Sequence, residues 1–526
     1  MNWDGNLPLF RMSGSWKDLP HPGHASGLAS VLGAYMPRCR WFGGKAREVV
    51  SSTVESVIPI AGTNTGTVFE TYFLCILQVS YKEGSPERYL FPLARSRSGQ
   101  SEPKARIARL ESVESDPDGM ELVDGLYLPE MGRALLGLFG HRGPGESEGG
   151  DSVGVLTTDE FDRLIRMCGP DAAPVLFRGE QSNSSLMFGG SLILKCFRRL
   201  EPGINPDLEV GMFLEGLSGP RIIPPLGGAL LGKTPDGQSL TFAMLQGFVA
   251  NRGDGWSWMR DTLKQGVLDS EHGDSVASGP FGEKLSRMVV RIGVRTARLH
   301  QSLSRDPEDP DFAPETLSGE DLAEAVRAVE LRLEKTFDML EGSLDRLSGE
   351  TRREGEALLA NRSRVHDLIR VHETIGGGLK IRCHGDFHLG QMLVTPEEDV
   401  VFLDFEGEPA LSIAERRRKF SPLLDVAGML RSFHYVSRSV LPDSPEPGIV
   451  SKSHRWFVDA SESYLSSYLG EMESGRPLLP DREALFPILT LYLLRKALYE
   501  LEYELNNRPD WVGIPLVGIR MLLEGR

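Results

Sequence analysis

The stretch from residue 384 to residue 409 constrains the fold of this chain more than any other part of its sequence. It reads His-Gly-Asp-Phe-His-Leu-Gly-Gln, then a short apolar run at 392–394, a polar turn at 395–399 and a second apolar run at 400–403. It ends on Asp-Phe-Glu-Gly-Glu-Pro. Two short apolar runs joined by a polar turn predict a tight β-hairpin. Such a hairpin would bring Gln391 close to Asp404.

The polar residues of this hairpin are the types that phosphoryl transfer requires. The carboxylates of Asp386 and Asp404 and the amide oxygen of Gln391 are hard ligands, suited to Mg²⁺ and to substrate phosphates. Their spacing matches the kinase catalytic loop H-R-D-x-x-x-x-N with a D-F-G-like Asp after the next strand. Asp386 would then accept the proton of the acceptor hydroxyl, and His384 would brace the loop. An isolated His-Gly-Asp triplet is more often turn chemistry, but the ordered set favours a kinase-like site.

A second set of residues predicts a clamp for ATP. Lys195 lies in an alternating strand at 192–197, and Glu209 begins a helix downstream, at a distance suited to an ion pair with Lys195. The small polar turn at 178–185, with Ser182 and Ser184, could offer backbone N–H groups to phosphates. A lone strand lysine is usually just exposed, so the position of Lys195 ahead of the hairpin carries this prediction.

A strand near 241–245 falls where a hinge between two lobes is expected. It runs into Gln246-Gly-Phe248, and its backbone could contact the adenine edge. Upstream, alternating runs at 49–60, 68–80 and 89–94, separated by turn signals such as 62–66, predict a small antiparallel β unit. Residues 95–120 are polar and charged and predict a loop or boundary, and 141–152 predict a surface loop.

The remainder of the chain is predominantly helical. Amphipathic helices are predicted near 287–301, 318–345 and 350–375, and long helices at 456–470 and 484–506 are predicted to close the chain. Ser318 followed by Asp321 is a predicted N-cap. The fold class is therefore α+β, with predicted domains at 1–110 (β cap), 111–248 (kinase N-lobe) and 249–526 (helical C-lobe).

Composition excludes several classes of protein. A net charge of −16 argues against a nucleic-acid partner, because phosphate backbones require a basic surface. No apolar run approaches the roughly 18–20 residues that span a bilayer, and the N-terminus does not resemble a signal peptide. The five cysteines have no CxxC spacing and predict free thiols in the cytoplasm.

Several segments outside the hairpin resemble bacterial maltokinase, which phosphorylates maltose at the anomeric hydroxyl to give maltose 1-phosphate. The hairpin itself shares this resemblance. The other matching segments are Arg40-Trp-Phe-Gly-Gly-Lys45, Asn251-Arg-Gly-Asp-Gly-Trp256, Ala414-Glu-Arg-Arg-Arg418, Ser421-Pro-Leu-Leu-Asp-Val-Ala-Gly-Met-Leu-Arg-Ser-Phe433, Arg495-Lys-Ala-Leu-Tyr-Glu500, Tyr503-Glu504 and Asn507-Arg-Pro-Asp-Trp511.

The resemblance implies an aminoglycoside-phosphotransferase-like, two-lobed protein-kinase-like fold with an N-terminal antiparallel β cap and a mainly helical C-lobe. In that family Asp386 matches the catalytic base, Gln391 and Asp404 match the Mg²⁺ ligands, and Lys195 and Glu209 match the ATP-phosphate pair. Asp425 is similar to a buried Asp that anchors the catalytic loop. Relatives that phosphorylate glucosamine share the hairpin.

The last long helix is the predicted sugar site. Its side chains at positions i, i+1, i+4 and i+5 lie on adjoining strips of one face, where aromatic rings could stack on sugar C–H surfaces and carboxylates could accept hydroxyl hydrogen bonds. The periodicity alone also fits a solvated amphipathic helix with i,i+4 pairs such as Lys496 with Glu500. With His384 and Asp386, the predicted substrate contacts are Glu406, Arg495, Tyr499, Glu500, Tyr503, Glu504 and Trp511.

Alternatives remain at two places. The acceptor could be maltose, glucosamine or another small metabolite, and a non-catalytic pseudokinase is a third reading that the intact Asp386, Gln391, Asp404 and Lys195 set disfavours. The Trp41-Phe-Gly-Gly-Lys45 segment is either a tight turn packed on the kinase lobe or a docking surface for an enzyme of glycogen or trehalose metabolism.

Overall fold

The computed structural model describes residues 7–61, 71–113, 119–140, 152–169, 172–177, 182–215, 221–269, 280–370, 377–409, 411–442 and 446–525. The chain forms two compact units. The N-terminal unit is Met1–Glu215 with Pro224–Phe248, and the C-terminal unit is Gly216–Ile223 with Val249–Arg526. The turn predicted at 62–66 and nearly all of the loop predicted at 141–152 lie outside the described residues.

The N-terminal unit contains most of the described strands. Its elements in chain order are β1 (Leu9–Arg11), α1 (Ala25–Tyr35), β2 (Val49–Ala61), β3 (Thr71–Tyr81), β4 (Glu87–Arg97), β5 (Arg106–Glu111), β6 (Met120–Asp124), α2 (Pro129–Leu138), β7 (Gly154–Thr157), α3 (Phe161–Cys168), β8 (Pro174–Leu176), β9 (Ser184–Phe188), β10 (Leu192–Cys196), β11 (Arg199–Leu200), α4 (Pro206–Leu214), β12 (Leu226–Lys233) and β13 (Ser239–Gly247).

The first sheet of this unit has the strand order β1-β5-β6-β4-β3-β2, with β11 added beside β4. Its neighbours pair antiparallel except β1 with β5. The prediction of a loop at 95–120 is wrong, because β5 and the start of β6 lie there. In β5 the apolar Ile107 and Leu110 are buried while Arg109 and Glu111 face solvent, so the charged residues concealed a strand.

The Trp41 segment is a tight turn that packs inside the N-terminal unit. Gly43–Ala46 form a short 3-10 helix. The Trp41 ring lies 5.9 Å from the ring of Tyr89 and 5.4 Å from that of Phe91, between centroids. The guanidinium of Arg198 lies 5.0 Å from the Trp41 ring. Docking of another enzyme at this segment stays a prediction.

The second sheet of the N-terminal unit carries Lys195. Its order is β7-β12-β13-β10-β9-β8, all antiparallel, so β10 lies between β13 and β9. Lys195 is paired in register with Met244 of β13 and with Ser185 of β9. Buried residues from both sheets, among them Leu74 of β3 and Leu194 of β10, form one continuous apolar cluster.

The C-terminal unit consists mainly of helices. Its elements are α5 (Gly255–Asp269), α6 (Pro280–Leu303), β14 (Glu315–Thr316), α7 (Gly319–Glu341), α8 (Gly349–Ala360), α9 (Arg362–Arg370), β15 (Leu379–Lys380), β16 (Met392–Val394), β17 (Val400–Phe402), α10 (Ile413–Arg416), α11 (Leu423–Ser439), α12 (Pro447–Met472), α13 (Arg482–Asn507) and α14 (Gly513–Leu523).

The helices of this unit pack around α11 and α13. Helix α6 packs on α12, and α7, α11 and α14 pack on α13. Leu333, Phe337, Leu494, Leu498 and Leu501 are buried in the core that α7 and α13 share. The prediction that 484–506 closes the chain is wrong, because α14 follows it.

Helix α7 begins with the predicted cap: Asp321 donates its backbone N–H to Ser318 Oγ at 3.2 Å and accepts the Ser318 N–H at 2.9 Å. The five cysteines are free thiols, of which four are buried. Within the described residues, no helix has the length and apolar character needed to cross a bilayer. The cytoplasmic location stays a prediction.

Candidate active site

The predicted hairpin is present and lies in the C-terminal unit. Strands β16 and β17 pair antiparallel, with Met392 opposite Phe402. Past the strands, the Leu403 N–H donates to the Gln391 carbonyl at 2.9 Å. The Gln391 side-chain amide donates to Asp404 Oδ2 at 3.3 Å. The two predicted metal ligands are therefore neighbours, because the hairpin joins the ends of its strands.

The segment after the hairpin, residues 404–409, is here called the metal loop. Asp404 adopts a φ of +63°, a left-handed conformation that costs a non-glycine residue roughly 1–2 kcal/mol. Carboxylate oxygens of Asp404 and Glu406 lie within 4.8 Å of each other. Glu406 is thus placed beside the predicted metal ligand, and its predicted contact with the substrate stays a prediction.

Asp425 of α11 holds the loop that carries Asp386, here called the catalytic loop (residues 384–391). The backbone N–H of His384 donates to Asp425 Oδ2 at 2.8 Å, and that of Gly385 donates to Oδ1 at 3.0 Å. His300 of α6 lies with Nε2 3.1 Å from the same carboxylate and Nδ1 2.9 Å from the Tyr468 hydroxyl. Burial raises the Asp425 pKa, but the bonds and charges of His300 and His384 lower it overall.

The catalytic loop is also packed tightly against α11 and the hairpin. His384 is buried and its Nε2–H donates to the Leu403 carbonyl at 2.9 Å, which joins the catalytic loop to the end of β17. Gly428 of α11 faces Phe387, and a Cβ there would lie 2.3 Å from the Phe387 carbonyl oxygen. The position of the loop therefore depends on a glycine as well as on hydrogen bonds.

Asp386 forms an ion pair with Lys496 of α13. Lys496 Nζ lies 2.9 Å from Asp386 Oδ1, and about a fifth of each side chain is exposed. Burial raises the pKa of Asp386, but the charges of Lys496 and His388 and the hydrogen bond from Lys496 outweigh it and leave the pKa at about 2. Asp386 is therefore ionised at neutral pH and ready to accept a hydrogen bond.

His388 lies on the other side of the Asp386 carboxylate. Its Nδ1 accepts the Gly390 N–H at 3.0 Å, so the proton of the neutral ring is on Nε2. Nε2 lies 3.8 Å from Asp386 Oδ2. Burial lowers the pKa of His388 more than Asp386 raises it, which keeps the ring neutral at pH 7.

The ion pair of Asp386 with Lys496 should determine how the activity depends on pH. Replacing Lys496 with methionine removes the main charge that lowers the Asp386 pKa and leaves the burial that raises it. We expect the acid limb of the pH profile of kcat/KM to move to higher pH in Lys496→Met, since Asp386 must be ionised to act. Lys335→Met is the matched control, because Lys335 is 67% exposed and pairs with Glu502. A profile that coincides with wild type would show that Lys496 does not control the base.

The predicted sugar-site residues of α13 do not all make the same kind of contact. The Tyr499 ring centre lies 5.0 Å from Lys496 Nζ, which places it beside the Asp386 ion pair. Glu500 accepts two hydrogen bonds from Arg431 of α11, at 2.6 and 2.9 Å. The i,i+4 pair of Lys496 with Glu500 considered from sequence is not the hydrogen-bonded one, since Lys496 donates to Asp386.

The C-terminal part of the predicted sugar site is an aromatic and ionic cluster. Glu504 accepts from Arg508 at 2.6 and 2.8 Å and from the Tyr435 hydroxyl at 3.2 Å. Trp511 stacks on Tyr435 with a centroid distance of 6.2 Å. Tyr503 is 45% exposed, with the Arg508 guanidinium 5.2 Å from its ring. These residues are brought together, but their contact with a sugar stays a prediction.

Arg495, the remaining predicted residue of α13, lies at the metal loop. Its Nη2 is 3.9 Å from Glu408 Oε2, and its guanidinium lies 5.5 Å from the Phe420 ring. Burial lowers the pKa of Arg495 more than the Glu408 charge raises it. Glu408 was not assigned a role from sequence, although it belongs to the same motif as Glu406.

The predicted nucleotide residues lie in the N-terminal unit. Lys195 Nζ forms an ion pair with Asp207 at 2.8 Å. Asp207 is thus an acidic partner of Lys195 that was not predicted, and the pair of Lys195 with Glu209 stays a prediction. Asn205 caps α4 by accepting the Asp207 N–H at 2.8 Å, so Asp207 lies in the first helical turn, buried against β10.

The predicted phosphate turn and hinge have their own contacts. Residues 178–181 of the turn lie outside the described residues, and Ser182 is exposed. Ser184 is buried in β9 and accepts from Arg198 Nε at 2.8 Å, which makes it part of the sheet. Gln246 pairs with Ile193 in the sheet, and the Phe248 N–H donates to the Ser191 carbonyl at 2.7 Å. An adenine contact at Phe248 would then use a group other than this N–H.

Sequence reasoning missed the role of Lys496 and the partners of the α13 carboxylates. Lys496 was noted in the helix, but its contact with Asp386 spans 110 positions of sequence. Arg431 is similarly 69 positions from Glu500. The signal in the sequence was the presence of charged residues among apolar ones in α11 and α13. A charge that such a helix buries requires a partner.

Comparisons with known proteins find similarity to a maltokinase cap domain and to glucosamine kinases. The family model described as the maltokinase N-terminal cap domain matches residues 35–127. A glucosamine kinase from Streptacidiphilus jiangxiensis is 26% identical over 354 residues, 66% of this chain and 73% of that protein. A glucosamine kinase from Mycolicibacterium smegmatis (strain ATCC 700084 / mc(2)155) is 25% identical over 347 residues, 66% of this chain and 78% of that protein.

Solved structures show the same fold. A glucosamine kinase in complex with glucosamine, ADP and inorganic phosphate has a TM-score of 0.59 and 19% identity, covering 94% of this chain and 99% of that one. Crystal form B of a glucosamine kinase gives 0.58 and 20%, covering 89% and 96%. The predicted α+β, two-lobed kinase-like fold with an N-terminal cap, of the maltokinase and glucosamine kinase type, is thereby confirmed.

Proposed function

We propose that this chain is an enzyme that transfers the γ-phosphoryl group of ATP to a hydroxyl group of a sugar. The observation that carries the proposal is the geometry of the C-terminal unit. There Asp386 is ionised beside Lys496, and Gln391 and Asp404 are neighbours at the end of the same hairpin. A base with an adjacent pair of oxygen ligands is the arrangement that phosphoryl transfer to a hydroxyl requires.

In the proposed reaction Asp386 orients the acceptor hydroxyl and takes its proton. The hydroxyl oxygen forms a bond to the γ-phosphorus of ATP as the bond from that phosphorus to the bridging oxygen of ADP breaks. The products are the sugar phosphate, ADP and the proton. A carboxylate with a pKa of about 2 is a weak base, so its main contribution is orientation of the hydroxyl, with proton transfer late in the reaction.

The residues around Asp404 fit a divalent cation. Asp404 and Glu406 supply carboxylate oxygens within 4.8 Å of each other, and Gln391 supplies an amide beside Asp404. Hard oxygen ligands of this kind suit Mg²⁺, which neutralises phosphate charge when bound. Lys195, held by Asp207, is the proposed partner of the ATP phosphates. The similar glucosamine kinase structure that contains ADP supports a nucleotide substrate.

Two acceptor sugars are proposed, in order. Maltose comes first, because the maltokinase-like segments extend from the cap to Trp511 and the cap model matches residues 35–127. Glucosamine comes second, because the two curated relatives at 25–26% identity are named glucosamine kinases. A pathway partner from glycogen or trehalose metabolism remains a proposal connected with the Trp41 segment.

A sugar panel tests the proposed function. ADP release is measured with ATP, Mg²⁺ and maltose, glucose, glucosamine or an aminoglycoside, and phosphorus NMR of the product identifies the phosphorylated position. We expect turnover with at least one mono- or disaccharide and phosphate on a sugar hydroxyl. Absence of ATP turnover with every sugar would contradict the proposal and favour a pseudokinase, while turnover with the aminoglycoside alone would favour an antibiotic kinase.

A further inference from the structure

Glu408, near the end of the metal loop, lies between two arginines. Arg332 Nη2 of α7 is 3.7 Å from Glu408 Oε1, and Arg495 Nη2 of α13 is 3.9 Å from Oε2. Both distances exceed the roughly 2.7–3.2 Å of an N–H···O hydrogen bond. The three side chains are mostly buried, with 12% of Glu408, 26% of Arg332 and 24% of Arg495 exposed. These three residues are here called the Glu408 triad.

One oxygen of the triad has an unused capacity for hydrogen bonding. Glu408 Oε1 is inaccessible to solvent, and among the residues that the structure describes no donor lies within hydrogen-bonding distance of it. A buried carboxylate oxygen without a donor is costly, and native proteins rarely keep one without a reason. A ligand hydroxyl that bridges Glu408 Oε1 and Arg332 would supply the missing donor.

Backbone packing places Glu408 near the catalytic base. Gly385 and Gly407 are in contact, since a Cβ on Gly385 would lie 3.4 Å from Gly407 Cα. Both adopt positive φ, +84° and +73°. Asp386 and Glu408 each directly follow one of these glycines. Asp386 and Glu408 therefore both lie next to the point where the catalytic loop touches the metal loop.

Tyr499 connects the triad to the base from the side of α13. The Arg332 guanidinium lies 5.3 Å from the Tyr499 ring centre, and Lys496 Nζ lies 5.0 Å from the same ring. Burial raises the pKa of Tyr499, Lys496 lowers it, and the charges of Asp386 and Glu408 raise it further, to about 12. The Tyr499 ring therefore lies near one cation of the triad and near the cation that pairs with the base.

We propose that the Glu408 triad recognises the acceptor sugar through a pair of neighbouring hydroxyl groups and disfavours a positively charged amino group at that position. This inference rests on the proposed sugar kinase function. A hydroxyl can donate to Glu408 while it accepts from Arg332 or Arg495. An ammonium group can only donate, so it would gain one carboxylate and meet two cations.

The charges of neighbouring side chains agree with a preference for a neutral sugar. The carboxylates of α13 from Glu500 onward are each paired with a cation: Glu500 with Arg431, Glu502 with Lys335 and Glu504 with Arg508. Asp386 is paired with Lys496. Apart from Glu408, which it would share with two arginines, a protonated amine would have to displace one of these cations to reach a carboxylate, which opposes its binding.

Two sugars that differ at one group test the inference on the wild-type protein. Glucose and glucosamine differ only in a hydroxyl against an ammonium group at neutral pH. We expect wild type to use glucose, or the larger neutral sugar maltose, with a higher kcat/KM than glucosamine. Glu408→Gln is expected to raise the KM for the neutral sugar about 10-fold or more, the size expected for losing a charged hydrogen bond, with the KM for ATP unchanged.

Arg332→Gln gives the complementary result. Removing one cation is expected to shift the ratio of kcat/KM values towards glucosamine. Glu502→Gln is the matched control, because Glu502 also lies near Arg332, at 3.8 Å, and is exposed to the same extent as Glu408. We expect it to leave the sugar KM values unchanged.

The outcomes separate the two proposals. No turnover with any sugar would contradict the kinase function itself. Turnover with an unchanged sugar KM in Glu408→Gln, or an equal rise in Glu502→Gln, would overturn the assignment of the triad. Wild-type preference for glucosamine over both neutral sugars would overturn the charge selection, whether or not the variants fold.

Discussion

Asp386→Asn is expected to lower kcat by more than about 100-fold while the protein still binds ATP. Asparagine has nearly the shape of aspartate and can still accept a hydrogen bond from Lys496, but its neutral amide orients the acceptor hydroxyl less strongly than a carboxylate and cannot take its proton. The loss should therefore appear in kcat and not in the affinity for nucleotide. Steady-state ADP release and calorimetric titration with ATP measure the two quantities separately. A rate within a few-fold of wild type would show that another group is the base.

A double variant controls for a structural effect of this substitution. Asp386→Asn leaves the Lys496 ammonium, which is 23% exposed, without its charged partner, and an unpaired buried charge destabilises the fold. Combining it with Lys496→Met removes that charge. We expect the double variant to recover melting temperature relative to Asp386→Asn and to stay inactive. Recovery of activity together with stability would mean that the single variant failed by misfolding.

Asp425→Ala is expected to lower the free energy of unfolding by about 3–5 kcal/mol, the cost of removing one partner from a buried charged network. The substitution leaves the N–H groups of His384 and Gly385 and the ring of His300 without their acceptor. Because the same carboxylate holds the catalytic loop, activity should fall even at temperatures where the variant remains folded. Urea unfolding followed by fluorescence measures the change.

The effect of pH on the Asp425 variant follows from the lowered pKa of this carboxyl group. A lowered folded-state pKa contributes stability above the unfolded value of roughly 3.9, and this contribution is lost as the pH falls further through the folded value. The difference between wild type and Asp425→Ala should thus be full at neutral pH and shrink only below about pH 4. Asp459→Asn, at an exposed position of α12, should match wild type throughout.

The hairpin could be predicted because its information is local. Its apolar runs, its polar turn and the spacing of Asp386, Gln391 and Asp404 lie within about 20 positions, and hairpin geometry then fixes their proximity. The α7 cap at Ser318 is another local signal that the structure contains. The fold class followed from the same motif together with the helical second half.

Helix α14 could not be predicted, because the residues that allow it to form depend on their tertiary environment. It contains Gly513, Pro515 and Gly518, residue types that are unfavourable in helix interiors. Pro515 lies in the first turn, where a helix has no use for its N–H. Gly518 faces the Arg431 guanidinium, and a Cβ there would lie within the guanidinium itself. The residue is glycine because of a neighbour that local sequence does not reveal.

The pairs that define the site could not be predicted for the same reason. Lys496 with Asp386, Arg431 with Glu500 and Arg332 with Glu408 join residues 69 to 110 positions apart. Glu500 had a candidate cation on its own helix, Lys496 four positions before it, whereas Asp386 and Glu408 lie in loops that offer no such spacing rule. Only the packing of α7, α11 and α13 selects the partners.

Helix α13 has a consequence for how such a chain could acquire a new substrate. This helix carries Lys496, which lowers the pKa of Asp386. It also carries Arg495 and Tyr499, which lie at the proposed acceptor position. If α13 slid or rotated to admit a different sugar, the Lys496 ammonium group would move away from Asp386 at the same time. Divergence of specificity should therefore proceed through exchanges of single side chains on a stationary helix, with the position of Lys496 inherited unchanged.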